Sequence, residues 1–132
     1  MRYLLLIYGP EWDGSQLSPE EQKAVMEEWT DYTAGLVKRG AIESGEALEP
    51  TSTATTVRVR DGEKLTTDGP FAETNEVLGG FYLINCKNLD EAIEIAAACP
   101  GARSGSIELR PVTEFGEEYQ AAVRERAGVA NG

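Results

Sequence analysis

The chain has 132 residues and a formal net charge of −11, with 12 Lys and Arg residues against 23 Asp and Glu residues. This length predicts one domain, and the scattered basic residues argue against binding to nucleic acid or an anionic membrane, since both need clustered Lys and Arg. The sequence contains no histidine, which rules out a Ser-His or Cys-His nucleophile pair and histidine metal ligation within the chain.

The two cysteines, Cys86 and Cys99, lack CxxC spacing, so neither a metal site nor a thioredoxin-like motif is indicated. The opening apolar run is too short to span a membrane and lacks the cleavage pattern of a secretion signal. We therefore expect a cytoplasmic, reduced protein with no cofactor and no intrinsic metal. Cys99 is expected to be a packed, inert thiol at a helix C-terminus.

The first half of the chain predicts a strand, a helix and a second strand. Residues 2–8 form a strand that is apolar on both faces. The run Ser18-Pro19-Glu20-Glu21 is a capping box with proline at the first helical position, and Gly40 stops the helix. Residues 41–48 make a short strand weakened by Gly45. We expect the helix to present one broad face to the core: Val25, Met26, Trp29, Tyr32, Thr33, Leu36 and Val37.

The second half predicts a hairpin, two strands and two helices. Residues 56–60 and 64–67 alternate around Asp61-Gly62, which is a typical hairpin turn. Residues 81–86 and 106–112 predict core strands, and residues 114 to about 126 a polar helix or tail. A second helix begins after Asn88, and its expected buried stripe is Leu89, Ala92, Ile93, Ala96 and Ala97.

This order of elements predicts an α+β fold of the ferredoxin-like βαββαβ type with an inserted β-hairpin. Two amphipathic helices can cover only one face of the sheet, yet residues 3–8 and 81–84 are apolar on both faces. A second copy of the sheet is the simplest cover for the other face. We therefore predict a two-fold homodimer with facing sheets.

The loop from Asp68 to Glu76 is the most informative segment. Its turn formers, Gly69 and Pro70, are expected to hold Asp68 at a sharp corner, bonded to its own downstream backbone, while Phe71 anchors in the core. The pair Gly79-Gly80 indicates a bulge or a close backbone approach, as from a ligand or another subunit.

Candidate site residues are acidic and arginine-based. Asp68 is a candidate general base with Glu73 as its partner, and an arginine is a candidate for orienting an anionic group. Each has a structural alternative: a well-made turn for Asp68, a solvated hairpin side for Arg58, and an ion pair with Glu108 or a partner subunit for Arg110. Residues that can border a ligand are Glu46, Arg58, Arg60, Gly69, Pro70, Phe71, Gly79, Gly80 and Arg110.

These motifs give the chain a resemblance to the YCII-related family, in the subgroup named DGPF after residues 68–71. The similarity covers residues 1–113 as a domain and leaves residues 114–132 as a tail. It rests on Tyr8-Gly9, Ser18-Pro19-Glu20-Glu21, Gly45-Glu46, Thr55-Thr56-Val57-Arg58, the 68–76 loop, Leu89-Asp90-Glu91-Ala92, Cys99-Pro100 and the run 107–112. The resemblance implies a dimeric α+β barrel.

The chain departs from the family pattern at three places. Asn75 stands where such loops commonly carry lysine. Shorter relatives have a histidine near the start of the first helix and an aspartate before a proline, proposed as a catalytic pair. Here the helix start has no histidine, and Cys99 precedes Pro100. That pair cannot operate in this chain.

Two functions remain open. The first is a small-molecule-binding homodimer for an acidic or aromatic ligand, acting as a cofactor-independent acid–base enzyme of elimination or isomerisation type by fold analogy. The second is a non-catalytic regulatory or protein-binding module, for which the resemblance suggests sigma-factor-type partners. A buried carboxylate in a closed pocket favours the enzyme, whereas an exposed loop with an uncovered apolar patch favours the module.

Overall fold

A computed structural model of the chain describes residues 1–129. Among these residues the chain forms six strands and three α-helices in the order β-α-β-β-β-β-α-β-α. The elements are β1 (Arg2–Gly9), α1 (Pro19–Lys38), β2 (Ile42–Ala47), β3 (Thr55–Arg60), β4 (Glu63–Asp68), β5 (Val77–Asn85), α2 (Leu89–Ala97), β6 (Ser106–Pro111) and α3 (Glu117–Ala127).

The strands form two separate sheets. The main sheet has the order β2-β5-β1-β6, and every neighbouring pair in it is antiparallel. Strands β3 and β4 pair only with each other, as a hairpin inserted between the second and third strands of the main sheet. This is the predicted ferredoxin-like α+β fold, and the strand order places β1 and β5 at its centre.

The predicted start of α1 is confirmed. The Ser18 side chain accepts a hydrogen bond from the Glu21 backbone N–H at 3.1 Å, and the Glu21 carboxylate accepts one from the Ser18 backbone N–H at 3.0 Å. Helix α2 begins differently, because Asn88 caps the Glu91 N–H while the Glu91 carboxylate accepts from the backbone of Lys87. Both caps satisfy backbone donors that the first helical turn leaves without an intrahelical partner.

The core lies between one face of the main sheet and the helices α1 and α2. Tyr3, Leu5 and Ile84 contribute the buried sheet side chains, and they pack against Leu36 of α1 and against α2. The buried α2 residues are Ala92, Ile95 and Ala96. Because α1 and α2 occupy the same side, the opposite side of the sheet has no helix of residues 19–97 packed on it.

The predicted helix faces were too wide. On α1, Met26 and Val37 are exposed, and only Leu36 is fully buried. On α2, Leu89 and Ile93 are exposed, while Ile95, which the predicted stripe omitted, is only 1% exposed. Spacing identifies a helical face, but the direction from which the sheet contacts the helix decides which part of that face is buried.

The Gly79-Gly80 pair forms a bulge, as predicted. Ile7 pairs with Gly80 and Tyr8 with Leu78, so Gly79 is the extra residue on β5. A Cβ atom on Gly80 would lie 2.9 Å from the carbonyl oxygen of Glu46. The close approach therefore comes from strand β2 of the same chain and needs no ligand or second subunit.

Gly45 makes room for an aromatic side chain. Gly45 pairs with Tyr82 across β2 and β5, and a Cβ atom at Gly45 would lie 2.7 Å from the Tyr82 ring. The ring crosses this space, and its hydroxyl is 2.6 Å from the hydroxyl of Thr33 on α1. The glycine that appeared to weaken β2 therefore allows a hydrogen bond between the sheet and α1.

We expect Gly45→Ala to lower the free energy of unfolding by about 1–3 kcal/mol, because the added methyl group overpacks the Tyr82 ring. The matched control is Gly35→Ala in α1, where the new Cβ meets nothing within 4 Å. That change should raise the free energy of unfolding by roughly 0.5–1 kcal/mol. Urea denaturation of both variants measures the difference, and equal effects would contradict this role for Gly45.

Candidate functional site on the open sheet face

On the side of the main sheet opposite α1 and α2, the strand register determines which side chains lie next to one another. Directly paired residues in antiparallel strands point to the same face. One row across the sheet is Ser44, Leu83, Leu4 and Arg110, and the next is Glu46, Phe81, Leu6 and Glu108. We call these eight residues the open face.

The open face has an apolar centre and charged edges. Leu6 is buried, and Leu4, Phe81 and Leu83 are half-buried. Glu46 on β2 and the β6 residues Glu108 and Arg110 are exposed. An apolar surface with a few polar groups at its border is the usual composition of ligand sites and of the centre of protein interfaces.

The charged groups lie at opposite edges of this face. Strands β2 and β6 are separated by β5 and β1, so Glu46 and Arg110 are roughly three interstrand spacings, or about 14 Å, apart. They border the apolar centre from two sides and do not contact each other. Within residues 1–129, no ion pair joins Arg110 to Glu108, so the structural alternative that paired them is not observed.

An ion cluster that the sequence analysis missed lies at one end of the open face. Arg2 donates to both carboxylate oxygens of Glu114, at 2.7 and 2.8 Å, and to Glu43 at 3.1 Å. The hydrogen bonds from Arg2 hold the pKa of Glu114 below its usual value. An arginine at the head of an otherwise apolar strand was the signal for this cluster, but its acidic partners are distant in sequence.

The 68–76 loop is fastened differently from the prediction. The Gly69 N–H donates to the carbonyl of Ala54 at 2.7 Å, and the Thr56 hydroxyl donates to the carbonyl of Gly69 at 2.8 Å. Gly69 has φ of 103°, a conformation that favours glycine. Within residues 1–129 no hydrogen bond to the Asp68 carboxylate is observed. The expected bond from Asp68 to its own downstream backbone was therefore wrong.

Phe71 does not anchor the loop in the core, because its side chain is 78% exposed. Polar bonds hold the far end instead, where the Glu76 carboxylate accepts from the Ser106 hydroxyl at 2.8 Å. Pro70 is half-buried and Glu73 is exposed. The loop is thus tied at both ends, and Phe71 remains available for contacts beyond the protomer.

The hairpin carries Arg58 and Asp68 on opposite faces. Asp68 pairs with Thr55 and shares the face of Val57, whereas Arg58 pairs with Leu65 on the other face. Almost the whole hairpin is exposed. The register therefore sets Asp68 and Arg58 on opposite faces of the hairpin, and it places neither of them in the row that contains Arg110.

Two grooves on the protomer surface are lined by residues outside the 68–76 loop. The larger, about 990 Å³, runs along α1 beside Trp29, Thr33 and Lys38. The smaller, about 280 Å³, lies between α2 and β6 and is lined by Ile93, Ala96, Ala97, Ala102, Ile107 and Leu109. Both are open surface features, and that the 68–76 loop borders a pocket stays a prediction.

The thiols are buried, and the described part of the chain holds no metal-binding cluster of thiols and carboxylates. Both cysteines are free and buried, and burial raises the pKa of the Cys99 thiol, as expected for an inert packed residue. In residues 1–129, no charged or polar residue is fully buried. No group of three or more Cys, Asp or Glu side chains in this range is arranged to hold a metal ion.

Comparison with known proteins agrees with the fold and the motifs. The family model of the YCII-related domain matches residues 1–116. The chain belongs to the YCII-related family. It is also 41% identical over 117 residues to an uncharacterised protein of Rhizobium meliloti (strain 1021), covering 87% of this chain and 94% of that protein.

In residues 1–129, none of the helices is long and apolar enough to cross a membrane.

We expect Asp68→Asn to leave the melting temperature nearly unchanged, because the carboxylate takes no part in the observed bonds of the turn. Thr56→Val should lower the free energy of unfolding by about 0.5–1.5 kcal/mol, because it removes the hydrogen bond to Gly69. Thermal and urea denaturation of the two variants test this contrast. A large loss of stability from Asp68→Asn alone would show that the carboxylate shapes the turn.

Proposed function

We propose that this YCII-related protein acts as a homodimer whose facing sheets bind a small acidic or aromatic ligand at the border of the interface. The observation that carries the proposal is the open face, with its apolar centre and its charged edges. Water contact with this centre is unfavourable, and burying it against an identical face removes that contact from both copies at once.

The polar border supports ligand binding at the edge of such an interface. Arg110 presents a planar guanidinium that can hold a carboxylate through two parallel hydrogen bonds. It lies in the same row as Leu4 and Leu83, so an organic acid held there would place its apolar part over the sheet centre. Phe81, in the adjacent row, offers an aromatic surface to the same ligand.

Dimerisation also supplies the condition that acid–base chemistry needs. Glu46 and Glu108 are exposed in the protomer, and in the proposed dimer they would border the partner's apolar centre, away from bulk water. A carboxylate with a pKa near neutrality can take a proton from a substrate without a cofactor. This is the catalytic form of the proposal, and Asp68 with Glu73 remains the loop-based candidate pair for the same reaction.

We expect Leu83→Arg to produce a folded monomer at micromolar concentration, because a charge at the centre of the open face opposes its burial. Light scattering gives the mass, and far-ultraviolet circular dichroism checks the fold. The control is Leu65→Arg on the exposed hairpin, which should remain a dimer. A monomeric wild-type chain, or a dimer that survives Leu83→Arg, would exclude the facing-sheet arrangement.

The ligand is tested by a thermal-shift screen of small aromatic and aliphatic carboxylates on the wild-type chain. For a carboxylate that raises the melting temperature, Arg110→Gln should weaken binding about tenfold to a hundredfold, the effect of losing a charged hydrogen bond. Arg58→Gln on the hairpin is the matched control and should leave affinity unchanged. Equal losses in both variants would place the ligand away from the open face.

A second candidate function rests on a separate surface. Val57 and Val59 share one face of the hairpin and are exposed, as is Phe71 of the adjoining loop. Exposed apolar groups of this kind favour a protein-binding module. In that case Phe71→Ser should abolish capture of the partner protein while leaving the homodimer and carboxylate binding intact.

A further inference from the structure

Helix α3 and Phe115, which precedes its N-cap, carry an apolar stripe that is exposed within residues 1–129. Phe115, Tyr119 and Val123 recur every four residues and are all exposed. The rings of Phe115 and Tyr119 lie against each other, with centroids 4.5 Å apart. Among residues 1–129, no strand or other helix packs extensively against α3. The sequence predicts a polar helix or tail over residues 114 to about 126, and this apolar stripe is the exception to that pattern.

A helix of this length needs a partner. Helix α3 has 11 residues, and isolated helices below about 12–15 residues are only marginally stable in water. Local features help it, since Gly128 ends the helix in the left-handed conformation and Glu117 pairs with Arg124 on the side away from the stripe. Most helical stability nevertheless comes from burying an apolar face.

The base of α3 is fixed on the open-face side of the sheet. Arg2 precedes Leu4 by two residues on β1, so both side chains point to that side. The double hydrogen bond from Arg2 to Glu114 holds the chain there, shortly before α3 begins. The helix starts directly after the 1–116 range of the family model, so it is an addition to the shared domain.

We infer that α3 pairs in antiparallel orientation with α3 of a second copy of this chain. The charges beside the stripe are complementary for this arrangement: Glu118 lies near the N-terminus of α3 and Arg126 near its C-terminus, equally far from Ala122. A two-fold axis at Ala122 sets Glu118 opposite the partner's Arg126, and the same contact occurs twice. The antiparallel arrangement also places the positive N-terminal end of each helix dipole beside the negative C-terminal end of the other.

The first test places a cysteine at the proposed axis. Ala122→Cys should form a covalent dimer under mild oxidation, because the two new thiols face each other across the axis. Ala121→Cys, which points to the opposite side of α3, is the matched control and should cross-link at least tenfold less. The native thiols do not compete, because Cys86 and Cys99 are buried. Equal yields from the two variants would overturn the inference.

The second test uses charge reversal. Glu118 and Arg126 lie roughly two helical turns apart, too far for contact within one helix. Glu118→Arg and Arg126→Glu should each lower the amide-exchange protection of residues 117–127 toward that of an unfolded peptide, since each sets like charges across the axis. An equimolar mixture of the two variants should restore protection, because every reversed charge then meets an opposite one. A mixture that behaves as the average of its components would refute the pairing.

The inference shares with the proposed function only the presence of a second copy, and the two can fail separately. Ala122→Cys combined with Leu83→Arg tests this. Cross-linking that persists in a chain whose sheets no longer pair would show α3 pairing without the facing-sheet dimer. A wild-type dimer by light scattering in which Ala122→Cys does not cross-link would leave the proposed function standing and remove the α3 pair. Protection of α3 by a different protein would likewise contradict self-pairing.

Discussion

The structure depends on one constraint: the central strands β1 and β5 are apolar on both faces, while α1 and α2 pack on only one of these faces. Tyr3, Leu5 and Ile84 are buried beneath α1 and α2. Leu4 and Leu83 point the other way, into a face that the protomer leaves half-exposed. The protomer therefore has a complete fold, but one apolar face of its sheet lacks a cover. For this reason, assembly with a second copy is central to the proposed function.

The charged residues follow from the same constraint. With the apolar side chains of β1 and β5 at the centre, polar groups on the open face are confined to the outer strands, where Glu46, Glu108 and Arg110 lie. In the proposed homodimer these three residues would lie at the border of the contact between two copies. The carboxylates of Glu46 and Glu108 are exposed in the protomer, and a second sheet packed on this face would change their surroundings.

In the 68–76 loop, the sequence motif predicted the position of the turn correctly but not the hydrogen bonds that hold it. The sharp turn exists, but Gly69 with Ala54 and Thr56 holds it, and Asp68 does not. Phe71 is outside the core. Turn chemistry in the sequence specifies that the chain bends; which backbone groups close the bend depends on the hairpin that lies next to it, and the sequence does not give that register directly.

The sequence by itself determined the features that depend on near neighbours: the Ser18–Glu21 cap, the Asp61-Gly62 turn, the two-faced strands and, with them, the βαββαβ order. Only the tertiary structure decided the features that depend on direction. It buried Ile95 in place of Ile93, set Arg58 and Asp68 on opposite faces, and joined Arg2 to Glu114. The physical reason is that periodicity fixes the phase of a side chain within its own element, whereas the packing and register between elements fix what that side chain meets.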